Sequence, residues 1–296
     1  EAFLASRDVM PPANALSKTL GLMWQVHAPE VLPLLAQVMP RLASPDLQQA
    51  ADDVLAQVKD PSGAVVLAEL LFAVDDPVRE RQVLATLARR LAGDWRPAAD
   101  EPRVREAIRA AIDFPDTRAE GIAAAASTGD RTYADAIMNF VKDDDASTPV
   151  RIAAVEALGR IKLSGARPVL EAMIERSKQT GASDPVAEAA LRTLPELGLE
   201  RDQLVAVVAD AGYPLGLRRE ALRAVAMQVE TARRLLERAE QGGLPEDLKN
   251  EATTLLNSHP DRGIRRRASE VLPLAGIGGG RELPPFEELI SRRGDP

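Results

Sequence analysis

Helix starts recur along this chain at intervals of 31, 40, 32, 36, 31 and 31 residues, counted from Leu47 through Val78, Arg118, Val150, Val186, Leu217 and Leu248. A chain with that period does not fold around one enclosed core. Each unit is too short to bury its own apolar face and must stack on its neighbours. Inside a unit the apolar residues fall at helical spacing. In 149–161, Val150, Ala153, Ala154, Ala157, Leu158 and Ile161 stand at i, i+3, i+4, i+7, i+8 and i+11. That is one broad stripe, without the alternation a strand would show. Stretches 46–58 and 217–229 repeat the pattern, an earlier unit fits at about 11–43, and no stretch reads as a strand. The spacing predicts an all-α solenoid, a right-handed α-α superhelix of about eight two-helix repeats. It would fill residues 1–275, with the second helix of each pair on the concave face.

Turn chemistry points the same way. Ser44-Pro45, Asp60-Pro61, Asp76-Pro77, Thr148-Pro149 and Asp184-Pro185 each set a capping side chain before a proline. The cap oxygen accepts an orphan N–H of the first turn, and proline lacks an N–H that would have had no partner there. The first three pairs lie 16 residues apart, which is one helix of about 13 residues and a short turn. Hydrophobic residues make up 45% of the chain but aromatic ones only 3%, so the interior is built from Ala, Leu, Val and Ile. Such side chains suit close helix packing.

Charge narrows the partners. The net charge is −8, and residues 1–150 hold all of it, with 23 acidic against 15 basic side chains. An acidic to neutral surface repels a phosphate backbone, so nucleic acid is not an expected partner. With no cysteine, thiolate metal sites, thiol nucleophiles and covalent haem attachment are excluded within the sequence. The most weakly charged run, between Lys18 and Arg41, is broken by Pro29, Pro33 and Pro40 and reads as two buried helices and a turn. It is too interrupted for a membrane span. The first residue is Glu1, with no basic leader, which reads as an excised or processed piece.

The segment from Asp145 to Ile174 resembles a HEAT repeat. It has an acidic, proline-bearing turn, then Val150-Arg151, the small pair Ala153 and Ala154, and Ala157-Leu158-Gly159. Its second helix carries Ala166, Val169, Leu170, Met173 and Ile174. Asp76-Pro77-Val78-Arg79 and Leu217-Arg218-Arg219-Glu220-Ala221-Leu222 open similar units, whereas Ala187 stands where an arginine is expected. The resemblance implies a HEAT-type array that contacts protein. With no cysteine, no paired histidines and no loop suited to phosphates, no cofactor, metal or small-molecule substrate is expected. The tail, with Leu283-Pro284-Pro285, Phe286 to Ile290 and Arg293 to Pro296, resembles the HEAT-repeat segment of large planctomycete-type bacterial proteins. In those proteins a sugar-dehydrogenase-like propeller precedes the repeats and a c-type cytochrome domain follows. That likeness implies a periplasmic or extracytoplasmic place, with any redox chemistry in neighbouring domains.

Few residues stand out as a site. His27 and His259 are isolated, and a helix-end histidine is favoured by the helix dipole without any function. Asp143-Asp144-Asp145 lacks the alternate ligands and glycine of a calcium loop and reads as a solvated capping turn. Gly276 to Gly280 follows the last repeat, so 276–296 reads as a linker and an amphipathic tail, with Phe286, Leu289 and Ile290 on one face. Trp24 sits on an apolar helical face and reads as core. Trp95 lies in the polar loop 92–103 that widens the third repeat. It is expected to tuck back onto the helices, with projection as a partner anchor the alternative. Trp95, Arg96, Arg265, Arg266 and Phe286 are the candidate partner contacts, the two later arginines belonging to the basic cluster Arg262, Arg265, Arg266 and Arg267. The reading is a non-catalytic scaffold. A HEAT-fold glycosylase or lyase is the competing one, and it would need charged groups converging across several repeats.

Overall fold

The computed structural model describes residues 13–26 and 29–273. Of the residues singled out above, His27, the Trp24 side chain, the run at 276–280 and the tail with Phe286, Leu289 and Ile290 lie outside them. Among the described residues all regular structure is helical, and sixteen α-helices follow one another as eight pairs. The seven aligned start positions all fall in the first helix of a pair. The chain divides into two compact units, the first ending at Glu171 and the second beginning at Ala172.

In the first unit the pairs are α1 (Ala13–Val26) with α2 (Leu32–Val38), α3 (Pro45–Gln57) with α4 (Gly63–Ala73), and α5 (Pro77–Leu91) with α6 (Pro102–Asp113). Next come α7 (Arg118–Thr128) with α8 (Ala134–Lys142), then α9 (Thr148–Arg160) with α10 (Arg167–Thr180), inside which the division falls. First helices stack on first helices, as α5 on α7 and α7 on α9, and second on second, as α4 on α6. The reason is legible in α6, where Val104, Ala107, Ile108, Ala111 and Ile112 form a buried i, i+3, i+4, i+7, i+8 stripe. Gly121 of α7 lies so close to α6 that a methyl there would sit 2.8 Å from the backbone of Ala111 and Ile112.

Side chains tie the repeats in register. Arg79 of α5 and Asp52 of α3 form a two-pronged ion pair, 4% and 9% exposed, with Nη2 donating to Oδ1 at 2.6 Å and Nη1 to Oδ2. Arg151 pairs with Asp144 at 3.0 Å in the turn before α9. Arg118 donates to the carbonyls of Ile112 and Asp113, both at 2.8 Å, and buried Thr117 donates to that of Ala111 at 3.0 Å. The last carbonyls of α6 are thus satisfied from the start of α7.

The second unit holds the rest of α10, then α11 (Pro185–Thr193) with α12 (Arg201–Ala209), α13 (Leu215–Ala226) with α14 (Val229–Glu240), and α15 (Glu246–Asn257) with α16 (Arg262–Val271). The same device recurs. Buried Arg218 of α13 holds both oxygens of Asp247 at the start of α15, at 2.8 and 2.7 Å. The Arg218 guanidinium keeps that carboxyl below its ordinary range. Thr231 donates to the Val225 carbonyl at 2.7 Å, as Thr117 does to Ala111.

The caps depart in part from expectation. Asp76 and Asp184 do accept from the N–H of Val78 and Val186. Ser44 has cap-like backbone angles but makes no side-chain cap bond, and Asp60 bonds Ser62 in a turn ahead of α4. The helix α9 begins one residue earlier than its signature suggests, with Ser147 at the cap and Thr148 inside. The acidic turn supplies α9 with an ion pair through Asp144 rather than with a cap, and Asp143 accepts from the Asp145 N–H at 3.0 Å.

Candidate interaction surface

Trp95 is fully buried, which corrects its place among the candidate partner contacts. Its Nε1 donates to the Val58 carbonyl at the end of α3, at 2.9 Å. Arg90 stacks over the ring at 4.9 Å and donates to the same carbonyl at 2.7 Å. The ring lies against the start of α4, where a methyl on Gly63 would come within 2.5 Å of it. The extra residues of the third repeat therefore form a turn and a short 3₁₀ segment, Arg96–Asp100, that plug the second repeat from outside. Arg96 stays exposed, its guanidinium over Gly129 at the end of α7.

The arginines of α16 separate into inward and outward ones. Arg265, half-exposed, is turned onto its own chain and braces the preceding turn, donating to the carbonyls of His259 and Pro260, each at 2.6 Å. Arg267 is held by Glu240, with both bonds at 2.9 Å. Arg262 and Arg266, four residues apart, are exposed on one face. His259 is buried and accepts the Asp261 N–H on Nδ1 at 2.9 Å, a structural role in the α15–α16 turn. Among the described residues no group of three or more His, Asp and Glu could hold a metal ion, and no helix is long and apolar enough to cross a membrane.

The feature that stands out lies elsewhere, on α4, α5 and α6. A groove of about 280 Å³ is lined by Phe72, Phe114, Leu84, Glu80, Ala107 and Ala111 among others. Phe72 is the last residue but one of α4, Phe114 follows directly on α6, and they are 42% and 60% exposed. Their rings stay uncovered because α6 presents alanines at 107, 110 and 111, too small to fill the space beside them. Arg103 lies 3.8 Å over the Phe72 ring and bonds Glu106 at 2.8 Å. Burial raises the Glu80 carboxyl above its ordinary range, and the negative charges of Asp75, Asp76 and Asp116 raise it further, Arg81 offsetting only part.

Covering both rings would remove roughly 200 Å² of aromatic surface, given about 150–250 Å² for a buried aromatic side chain. At about 25 cal/mol per Å² that is on the order of 5 kcal/mol before the cost of ordering a partner. Large apolar side chains left exposed together mark a contact surface. A second hollow, of about 490 Å³ along α6, is lined by Arg105, Arg109, Asp100 and Asp113. It is of mixed charge, and Arg105 is already bonded to Asp100 at 2.5 Å, so it offers less to a ligand.

Phe72 and Phe114 carried no flag in the sequence, since each reads as the end of an apolar stripe. The available signal was their shared position at the ends of consecutive second helices.

A family model described as HEAT repeats matches residues 102–194, from α6 through α11. No curated protein and no solved structure matches the chain. The fold class is an all-α array of two-helix repeats of HEAT type. Helical repeats of this kind form extended surfaces for protein contacts.

Proposed function

We propose that this chain is a non-catalytic scaffold or spacer for protein contacts within a larger polypeptide. The observation that carries the reading is the aromatic groove on α4–α6, held open by repeats that are locked to one another. Buried ties such as Arg79–Asp52 set the spacing of the helices, so a partner meets a preformed surface and does not have to order it. We place the chain between a propeller and a c-type cytochrome domain, outside the cytoplasm, on the likeness of residues 283–296 to that family.

Chemical cross-linking and mass spectrometry on the natural polypeptide, in the cells that make it, test both parts. The exposed lysines Lys59, Lys142, Lys162 and Lys249 are expected to link to another domain or chain. Links confined to residues 1–296 would refute the scaffold. A natural polypeptide without a haem-bearing peptide would remove the redox setting alone.

A further inference from the structure

We propose that the groove on α4–α6 takes a peptide segment that presents two large apolar side chains beside a lysine or arginine. This rests on the scaffold reading and assigns its contact to one place. The apolar half of the requirement comes from the groove itself. Phe72 and Phe114 bound it, Leu84 and the alanines of α6 form its floor, and none of them offers a hydrogen bond. A polar ligand would therefore lose its water without compensation there.

The basic half comes from the rim. Asp75 and Asp116 are exposed and Glu80 is half-buried in the groove wall. Asp76, at the start of α5, adds a further negative charge although its Oδ1 caps Val78. The cations nearby are committed elsewhere. Arg81 donates to the Asp116 backbone carbonyl at 3.3 Å, and Arg103 lies on Phe72 and bonds Glu106. The four carboxyls outnumber those two cations. Burial, and then the charges of Asp75, Asp76 and Asp116, resist ionisation of Glu80, so a partner's cation placed at its edge would relieve the second of these. An acidic or phosphorylated partner meets the same field as repulsion.

The test starts from a phage-displayed library of random dodecapeptides panned against the full chain. Enriched peptides are then synthesised and titrated by fluorescence anisotropy. They are expected to carry two large apolar residues within one helical turn and at least one Lys or Arg. Phe114→Ser should weaken them by about tenfold or more, as an anchor at a desolvated centre does. Phe114 is mostly exposed and follows the helix, so the variant leaves no core cavity. The double change Glu80→Gln with Asp116→Asn should weaken binding several-fold and flatten its salt dependence. Circular dichroism should show both variants folded. Failure to enrich any peptide, enrichment of acidic peptides, or binding that survives both variants would overturn the proposal. If it fails while the natural polypeptide still cross-links to a neighbour, the contact lies on another face and the scaffold reading stands. If the cross-links fail too, both fall.

Discussion

Replacing Arg79 by methionine leaves the Asp52 carboxylate between α3 and α5 without either of its guanidinium bonds. Both residues are more than nine-tenths buried, so water does not readily replace the lost partner. Breaking a buried pair from one side costs about 3–5 kcal/mol, whereas replacing both partners by apolar residues is often near neutral. Arg79→Met and Asp52→Leu are each expected to fall in that range. The double variant is expected to recover most of the loss, which is a coupling of at least about 2 kcal/mol in a double-mutant cycle. The assay is urea unfolding followed by tryptophan fluorescence. Both tryptophans of the chain, Trp24 and Trp95, belong to the first unit, so the signal reports that unit. Arg151 gives the contrast. Its partner Asp144 is 69% exposed, and Arg151→Ala is expected to cost only about 1–2 kcal/mol, through lost packing and one hydrogen bond. A loss below about 1 kcal/mol for Arg79→Met, or a double variant whose cost is the sum of the singles, would refute the argument that this pair locks the repeats.

Gly121→Ala and Gly63→Ala each place a methyl where no space exists, against the α6 backbone and the Trp95 ring respectively. Each should destabilise the first unit by about 1–3 kcal/mol, and Gly63→Ala alone should shift the Trp95 emission to the red; a neutral Gly121→Ala would mean that α6 and α7 are not in backbone contact. Glu80 keeps its proton to a higher pH folded than unfolded, so the folded state binds more protons in that window and loses stability as pH rises through it. Glu80→Gln should therefore stabilise the first unit at neutral pH and lose that advantage on acidification; an advantage independent of pH would contradict the assignment. Asp247, lowered by Arg218, has the opposite sign: its contribution is present above the unfolded carboxylate range and fades as pH falls, so Asp247→Asn should cost stability at neutral pH and progressively less in acid, read by circular dichroism.

The helices were legible because stacking demands the same apolar stripe from every unit, and that demand appears as a period. The starts in α3 to α15 follow from it. What the period does not contain is the detail of a turn. Ser44, Asp60 and Thr148 satisfy a residue-type rule, but a cap bond also needs the side-chain oxygen aimed at the second or third N–H. At Thr148 one extra helical residue removes it. Trp95 was ambiguous for a different reason. Its hollow is made by Val58 and Gly63, 37 and 32 residues earlier, and its Nε1 donates to a backbone carbonyl whose availability depends on how α3 ends. No local pattern around position 95 carries that information.

The groove was illegible for a reason that also says where to look in such a chain. A phenylalanine at the end of an apolar stripe is core or surface according to what the next repeat sets against it, and here α6 sets alanine at 107, 110 and 111. The arginines that make the most buried ties from repeat to repeat, Arg79 and Arg218, lie on first helices and point inward. The exposed rings of the groove lie where second helices end. Phe140 takes a similar place in α8, half-buried with Arg118 5.3 Å above its ring, so three consecutive second helices carry a phenylalanine at or within two residues of their C-terminal end. The ties of Arg79 and Arg218 do not involve the rings at second-helix ends, so a change of ring there leaves them in place. A contact surface therefore arises there by two cheap choices, a large ring at one helix end and small residues on its neighbour. Both choices preserve the period, which is why the period cannot reveal them.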